Sequence, residues 1–360
     1  MAARRKPVTA RPLVRAESNS TVKPNDLRTL LAAAIPAGEP VLITGAPGIG
    51  KSDIMGRAAL DAGADLILSH PAVADPTDVK GLPWMQGDHA TFLPFGEMAE
   101  ALAATRRTVW FLDDLGQATP AVQASYMQLL LARRVNGHRL PDCVTLMSAT
   151  NRRTDRAGVS GMLEPVKSRY LTIVELHADL PTWCEWAIDH NQRPEVIAYL
   201  RFQTDAFSNF VASADLTNSP SPRTWAHVSR LLDLNLPAHV QSEAINGAVG
   251  EGAGTGFNAF LRMFRELPNV DAILLSPDTA IVPDSPSALY ALSGALAARA
   301  SAATFGSIVT YATRLLNAAR GEFGVLMMRD AVRRCPDVQH TQAFARMTIG
   351  DLGKLYTGTL

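Results

Sequence analysis

One stretch constrains this chain more than any other: Gly45-Ala46-Pro47-Gly48-Ile49-Gly50-Lys51-Ser52. It fits G-x-x-x-x-G-K-[ST], the P-loop pattern that cradles phosphate. The apolar run Val41-Leu42-Ile43-Thr44 before it reads as a buried strand, and Asp53 to Leu60 after it reads as a helix. The motif needs that setting, because the loop must aim its free backbone N–H groups at an anion from a helix N-terminus. Its glycines adopt backbone conformations closed to other residues and let the chain approach a phosphate closely. In this pattern Lys51 carries its charge to the β- and γ-phosphates, and Ser52 places a hydroxyl on Mg²⁺.

Three further polar positions follow strands. Asp113 closes the continuous apolar run Thr108-Val109-Trp110-Phe111-Leu112. A carboxylate there suits the holding of Mg²⁺ through its water shell. Asp114, next along, stands where a base polarises an attacking water. Asn151 follows the strand Val144 to Ala149, and its amide can orient that water against a γ-phosphate. Strands of one parallel sheet deliver their C-terminal ends to the same edge, so Lys51, Asp113, Asp114 and Asn151 are expected to converge. Arg152, Arg153, Arg156 and Arg169 come next. In a lone monomer they are solvated charges; in a ring, one of them reaches the neighbour's nucleotide and stabilises the charge of the transferring phosphoryl group. Arg223 starts a helix in the α-region, where it either closes over the γ-phosphate of its own subunit or merely packs near the helix start.

Strands alternate with helices over residues 40 to 175, which predicts a three-layer α/β core around a parallel sheet. From Leu180 on, the pattern is helical: 181–201, 222–232, 240–264, 286–299, 305–319, 324–334 and 342–356. Within the α/β part, His70 to Glu97 is too long for a plain connection. A hairpin turning near Gln86-Gly87-Asp88 is expected there. Its Trp84, Met85, Phe92 and Leu93 either pack on the sheet or face a partner. Val135 to Arg139 reads as a turn.

The chain has 360 residues, 47% of them hydrophobic and 19% charged, enough for a sizeable core. Its 34 basic residues balance 34 acidic ones, so no overall field draws it to nucleic acid or to an anionic membrane. Nucleic acid is accordingly not an expected partner. The basic arm holding Arg4, Arg5, Lys6, Arg11 and Arg15, interrupted by Pro7 and Pro12, reads as disordered. No uncharged apolar run approaches the ~20 residues that span a bilayer. Cys143, Cys184 and Cys335 are too scattered for a disulfide framework or a zinc knuckle, which fits a reduced, cytoplasmic compartment.

The succession G-A-P-G-I-G-K-S, F-L-D-D-L-G-Q-A, M-S-A-T-N, E-P-V-K-S-R-Y and S-P-R-T-W resembles an AAA+ ATPase, and within that superfamily the MoxR-like ATPases. The segment D-P-T-D-V-K-G-L-P is similar to the region after the second strand in that group. The resemblance covers roughly residues 25 to 265. It implies an AAA+ nucleotide-binding core over 25–178 and an α-helical lid over 179–266; the residues themselves read as a disordered basic arm over 1–24 and a C-terminal helical extension over 267–360. It implies ATP and Mg²⁺ as ligands, and a homo-oligomeric ring, usually hexameric, with ATP between subunits. Gly45, Ala46, Pro47, Gly48, Ile49, Gly50, Lys51 and Ser52 match Walker A. Asp113 and Asp114 match Walker B, Asn151 sensor 1, Arg169 the arginine finger and Arg223 sensor 2. The second Walker B acid is usually Glu, so Asp114 is a departure. The family tends to act on protein clients, with partners that carry von Willebrand factor A-type domains. A DNA-directed AAA+ protein such as a helicase loader, supported by the basic arm, and a slow-hydrolysing nucleotide switch, suggested by Asp114, are the alternatives.

Overall fold

The computed structural model describes residues 20–155, 161–213 and 215–358. The basic residues of the arm and Arg156 lie outside the described residues. The first half runs β1 (Thr21–Val22), α1 (Pro24–Ala37), β2 (Val41–Thr44), α2 (Lys51–Asp61), β3 (Asp65–Ser69) and α3 (Pro76–Lys80). It continues through β4 (Leu82–Gln86), β5 (His89–Leu93), α4 (Gly96–Leu102), β6 (Thr108–Leu112), α5 (Pro120–Ala132), β7 (Arg134–Val135) and β8 (His138–Arg139). It closes with β9 (Val144–Thr150), α6 (Glu164–Lys167) and β10 (Thr172–Leu176).

Six strands form one sheet in the order β1-β10-β2-β9-β6-β3. Every neighbouring pair in it is parallel. Alternate residues of each strand feed opposite faces, and both faces are covered. On one, Ile43, Val109, Phe111 and Met147 pack with Leu27, Leu31 and Ile35 of α1 and Met55 of α2. On the other, Leu42, Trp110, Leu112 and Leu146 pack with Val122, Tyr126 and Leu129 of α5 and Met98 of α4. This is the three-layer P-loop α/β core, and a helical region follows it.

Part of the segment expected to be disordered is ordered. Thr21 and Val22 pair with Glu175 and Leu176 as an edge strand. The Ser20 and Val22 carbonyls accept from the amides of Glu175 and His177, at 3.0 Å each. A β-branched pair that lays Val22 against the α1 side of the sheet holds this strand in place. The segment expected as a turn, Val135 to Arg139, is the short hairpin β7–β8, with Asn136 and Gly137 both at positive φ.

The second half runs α7 (Leu180–Asp189), α8 (Pro194–Phe202), α9 (Pro222–Asp233), α10 (Ala238–Val249), α11 (Glu251–Arg265) and α12 (Val270–Leu275). Then come α13 (Pro286–Ala297), α14 (Phe305–Asn317), α15 (Gly321–Arg334), α16 (Gln342–Ile349) and α17 (Asp351–Thr357). Three stretches expected as single helices are pairs. Pro194 cannot continue a helix and starts a new one, Gly250 at φ 82° breaks the second, and Gly350 interrupts the third. One apolar core gathers Trp183, Tyr199, Trp225 and Phe257; another gathers Leu292, Phe305, Tyr311 and Met327. α13 serves both, since Ala291 packs in the first and Leu292 in the second. The Arg201 guanidinium of α8 and the buried Asp330 carboxylate of α15 form a two-pronged ion pair, at 2.5 and 2.9 Å, across the helices. Among the described residues no helix is long and apolar enough to cross a membrane.

Candidate functional site

The strand order decides which loops meet. β2 does not neighbour β3; β9 and β6 lie between them. The C-terminal end of β9 therefore stands between the P-loop after β2 and the acidic pair after β6. In register, Thr44 pairs with Thr150, and Leu112 pairs with Ser148. Asn151 follows Thr150 directly, so it is wedged between Lys51 on one side and Asp114 on the other.

The hydrogen bonds follow that placement. Lys51 Nζ donates to Asn151 Oδ1 at 2.7 Å and to the carbonyls of Gly45 and Ala46 at 3.0 and 3.1 Å. Asn151 Nδ2 donates to Asp114 Oδ1 at 3.2 Å. Ser52 Oγ donates to Asp113 Oδ2 at 2.5 Å. Asp113 is held from behind, its amide donating to the Ser69 carbonyl on β3 at 2.9 Å. Lys51, Asp113 and Asn151 are buried. The four residues expected to converge do so.

Asp114 adopts a left-handed backbone, φ 58° and ψ 32°. Asp and Asn tolerate that region better than longer side chains, because a short polar group can bond locally. Its own amide donates to Asp113 Oδ1 at 3.0 Å. This backbone gives a physical reason for Asp rather than Glu at the position.

Arg223 enters from the helical half. Its amide donates to the Gly48 carbonyl at 3.1 Å. The N-terminus of α9, capped by Ser221 and Thr224 on each other's backbone, is thus docked on the P-loop. A Cβ added at Gly48, which sits at φ +75°, would meet Ser221 Oγ at 2.8 Å. Glycine is needed there for both conformation and space. The Arg223 side chain itself is exposed beside the loop.

Charges in the site are tuned by burial. Burial lowers the Lys51 pKa to about 8; Asp114 and Asp113 oppose that shift, while Arg223 adds to it. Burial first, and then the Asp113 charge, push the Asp114 carboxyl above its ordinary range; Lys51, His70 and Arg223 pull it back. Lys51 is thus a desolvated ammonium that a bound anion would stabilise, and Asp114 a carboxyl whose raised proton affinity suits a base.

The other arginines divide. Arg152 is clamped within its own chain, on Asp155 through Nε and Nη2 and on Glu175 at 3.2 Å. The picture of Arg152 as a free surface charge is corrected: lending it to a neighbour breaks two ion pairs. Arg153 is exposed. Arg169 does not join Lys51 in this subunit. It precedes β10 at the N-terminal edge of the sheet, where the Leu171 amide bonds the Pro40 carbonyl at 2.8 Å. The length of β2, about 13 Å at ~3.3 Å per residue, separates that edge from the P-loop. There Arg169 Nη1 donates to the Pro165 carbonyl, and its Nε is buried with no partner among the described residues.

Three residues near the site were given no role in it from the sequence. His70 follows β3 on the same edge as Asp113 and contributes to the field at Asp114. Asp155 does the same at Lys51. Ser221 Oγ lies 2.8 Å from where a Cβ on Gly48 would stand. The same-edge rule that found Asn151 reaches His70 as well. Nothing local in the sequence marks Asp155, and the Ser-Pro-Arg-Thr run marks Ser221 as a helix cap without showing that it lies against the P-loop.

No protein-family model and no curated protein matches the chain. Among solved structures, the Thermotoga maritima RuvB Holliday junction branch migration motor aligns over 76% of this chain and 81% of its own, at 15% identity and a TM-score of 0.37. NtrX from Brucella abortus in complex with ATP aligns over 91% of this chain and 67% of its own, at 13% identity and a TM-score of 0.41.

Proposed function

We propose that this chain is a Mg²⁺-dependent ATPase of the AAA+ type, MoxR-like, that works as a hexameric ring and remodels a protein client. The observation that carries the reading is the continuous bonded chain Lys51–Asn151–Asp114, beside Ser52–Asp113 and under a docked Arg223. A merely structural P-loop has no use for five such groups at one sheet edge.

In this reading Gly45 to Ser52 binds the phosphates of ATP through backbone N–H groups and the Lys51 ammonium. The triphosphate gives that desolvated ammonium the counter-charge it lacks. Asp114 accepts a proton from the attacking water, and Asn151, bonded to Asp114, orients it. Arg223 holds the γ-phosphate from its own subunit. Arg169, at the far edge, serves the site of the next subunit.

The residues present fit Mg²⁺. The Ser52 hydroxyl donates to an Asp113 carboxylate oxygen at 2.5 Å, and these two oxygen-bearing side chains would hold the cation. Among the described residues no cluster of three or more His, Cys, Asp or Glu could hold a metal alone. Mg²⁺ bound through one or two protein oxygens takes its remaining ligands from phosphate and water. When bound, it neutralises charge on the phosphates.

Phosphate release and native mass, each measured with and without ATP, test the reading. The expectation is ATP-dependent assembly and turnover. Lys51→Ala abolishes binding. Arg169→Ala keeps binding and loses turnover by about 10³-fold or more. No assembly with ATP, together with full turnover in Arg169→Ala, overturns it. The client is a protein: the same assay run with a von Willebrand A-type domain and with duplex DNA discriminates, and stimulation by DNA alone favours the helicase-loader alternative.

A further inference from the structure

The hairpin β4–β5 stands off the core as an isolated two-stranded ribbon. Its register fixes two faces. Leu82, Trp84 and Gln86 share one with Leu93, Thr91 and His89; Pro83 and Met85 share the other with Phe92 and Ala90. Each face carries large apolar side chains open to solvent: Trp84 and Leu93 are 63% and 45% exposed on one, which turns polar toward the tip at Thr91, Gln86 and His89, and Met85 and Phe92 are 64% and 38% exposed on the other. His89, at the tip, is the sole ionisable residue on either strand. With ~200 Å² for each large side chain, the ribbon leaves on the order of 500 Å² of apolar surface uncovered. A two-stranded ribbon in water is marginal at best, so this one is incomplete as it stands.

The ribbon is nonetheless held in a fixed attitude. His138 Nε2 of the β7–β8 hairpin donates to the Phe92 carbonyl at 2.7 Å, and Asn136 Nδ2 donates to the Lys80 carbonyl at 2.8 Å. At its neck, Gly81 (φ +83°) lets the strands meet; a Cβ there would lie 2.6 Å from the Leu93 carbonyl oxygen. His138 occupies the β5 edge and Pro83 removes a donor from β4, so the exposed edges are poor templates for strand addition. The faces, not the edges, are what the ribbon offers.

A single partner lying on the ribbon covers one face. A cyclic assembly covers both, because head-to-tail contacts bring a different neighbour to each side of the same element. We infer that the occupants are further copies of this chain: each β4–β5 ribbon stacks its Trp84 face on the Met85 face of the next, closing an apolar collar around the ring. The inference rests on the cyclic arrangement proposed above. The collar area falls below the ~800 Å² per partner of a self-sufficient interface, so the collar adds to the contacts between cores and does not replace them.

Cysteines at Thr91 and Ala90 test it, since these neighbours in sequence point to opposite faces. With ATP and a short bis-maleimide, the collar predicts that Thr91→Cys/Ala90→Cys gives a covalent ladder reaching full ring size. Each single variant gives at least tenfold less product beyond the monomer. Wild type supplies the blank, its cysteines being buried or half-buried. Retained ATP binding shows that the variants fold. A ring by native mass without a ladder overturns the collar and leaves the ring. Efficient dimers from either single variant also overturn it, because they report face-to-face pairing. Absence of any ring overturns the assembly, and the collar with it. A ring without a ladder whose Trp84 becomes shielded when an unfolded protein is added assigns the ribbon to the client instead.

Discussion

ATP binding should pull a proton onto this protein at alkaline pH. Lys51 in the free site titrates at about 8, chiefly because burial strips its charge of water. Phosphates supply opposite charge and return it to the ordinary lysine range, ~10.4. At pH 7 the free ammonium is already about 90% protonated, so binding takes up only about 0.1 proton. At pH 9 the free group is about 10% protonated and the bound group nearly all, so uptake is about 0.9 proton. Affinity follows: between pH 7 and pH 9.5 it should fall about 30-fold, or ~2 kcal/mol. Calorimetric titration in two buffers of different ionisation enthalpy counts the proton directly. The phosphate's own titration, near pH 6, is complete in this range. Lys51→Arg is the control, because a guanidinium stays charged throughout and the other groups of the site are shared. No uptake at pH 9, or the same pH slope in Lys51→Arg, refutes the argument that Lys51 is held desolvated for an anion.

Three further outcomes follow from the same geometry. Because the folded-state pKa of Lys51 lies below its unfolded value, its penalty is full below pH 8 and vanishes as pH rises toward 10.5; the unfolding free energy of wild type relative to Lys51→Met should therefore rise by about 3 kcal/mol between pH 7.5 and 10.5, read by urea denaturation. Gly48→Ala forces a side chain to φ +75° and against Ser221 Oγ, so it should cost ~1–2 kcal/mol and undock α9, seen as weaker ATP binding and faster proteolysis after Pro220. Asp114→Glu places a longer acid at φ 58°; it should lower stability by up to ~1 kcal/mol and raise turnover severalfold if Asp114 is the slow step's base, whereas unchanged turnover separates the two.

The legible part of this protein was the part written in local pattern. The motif from Gly45 to Ser52 and the apolar strands that end at Asp113 and Asn151 read directly, because a buried parallel strand leaves a continuous apolar run and its end faces the ligand edge. The break at Pro194 was equally open to reading, yet a strong helical period on both sides hid it. The placement of Asn151 between Lys51 and Asp114 depends on β9 and β6 inserting between β2 and β3, which is long-range pairing with no local signature. The docking of Arg223 on Gly48 is of the same kind. Arg152 illustrates the opposite failure. It looked free because its partners, Asp155 and Glu175, are brought to it by a turn and by a neighbouring strand.

The central claim is that two subunits build one site, with Lys51 from the first and Arg169 from the second. Mixing Lys51→Ala with Arg169→Ala tests it most directly. Each variant alone is inactive. In mixed rings about one boundary in four joins an intact Lys51 to an intact Arg169, so turnover should return to about a quarter of wild type. Two variants that co-assemble by native mass and regain no turnover would contradict the account.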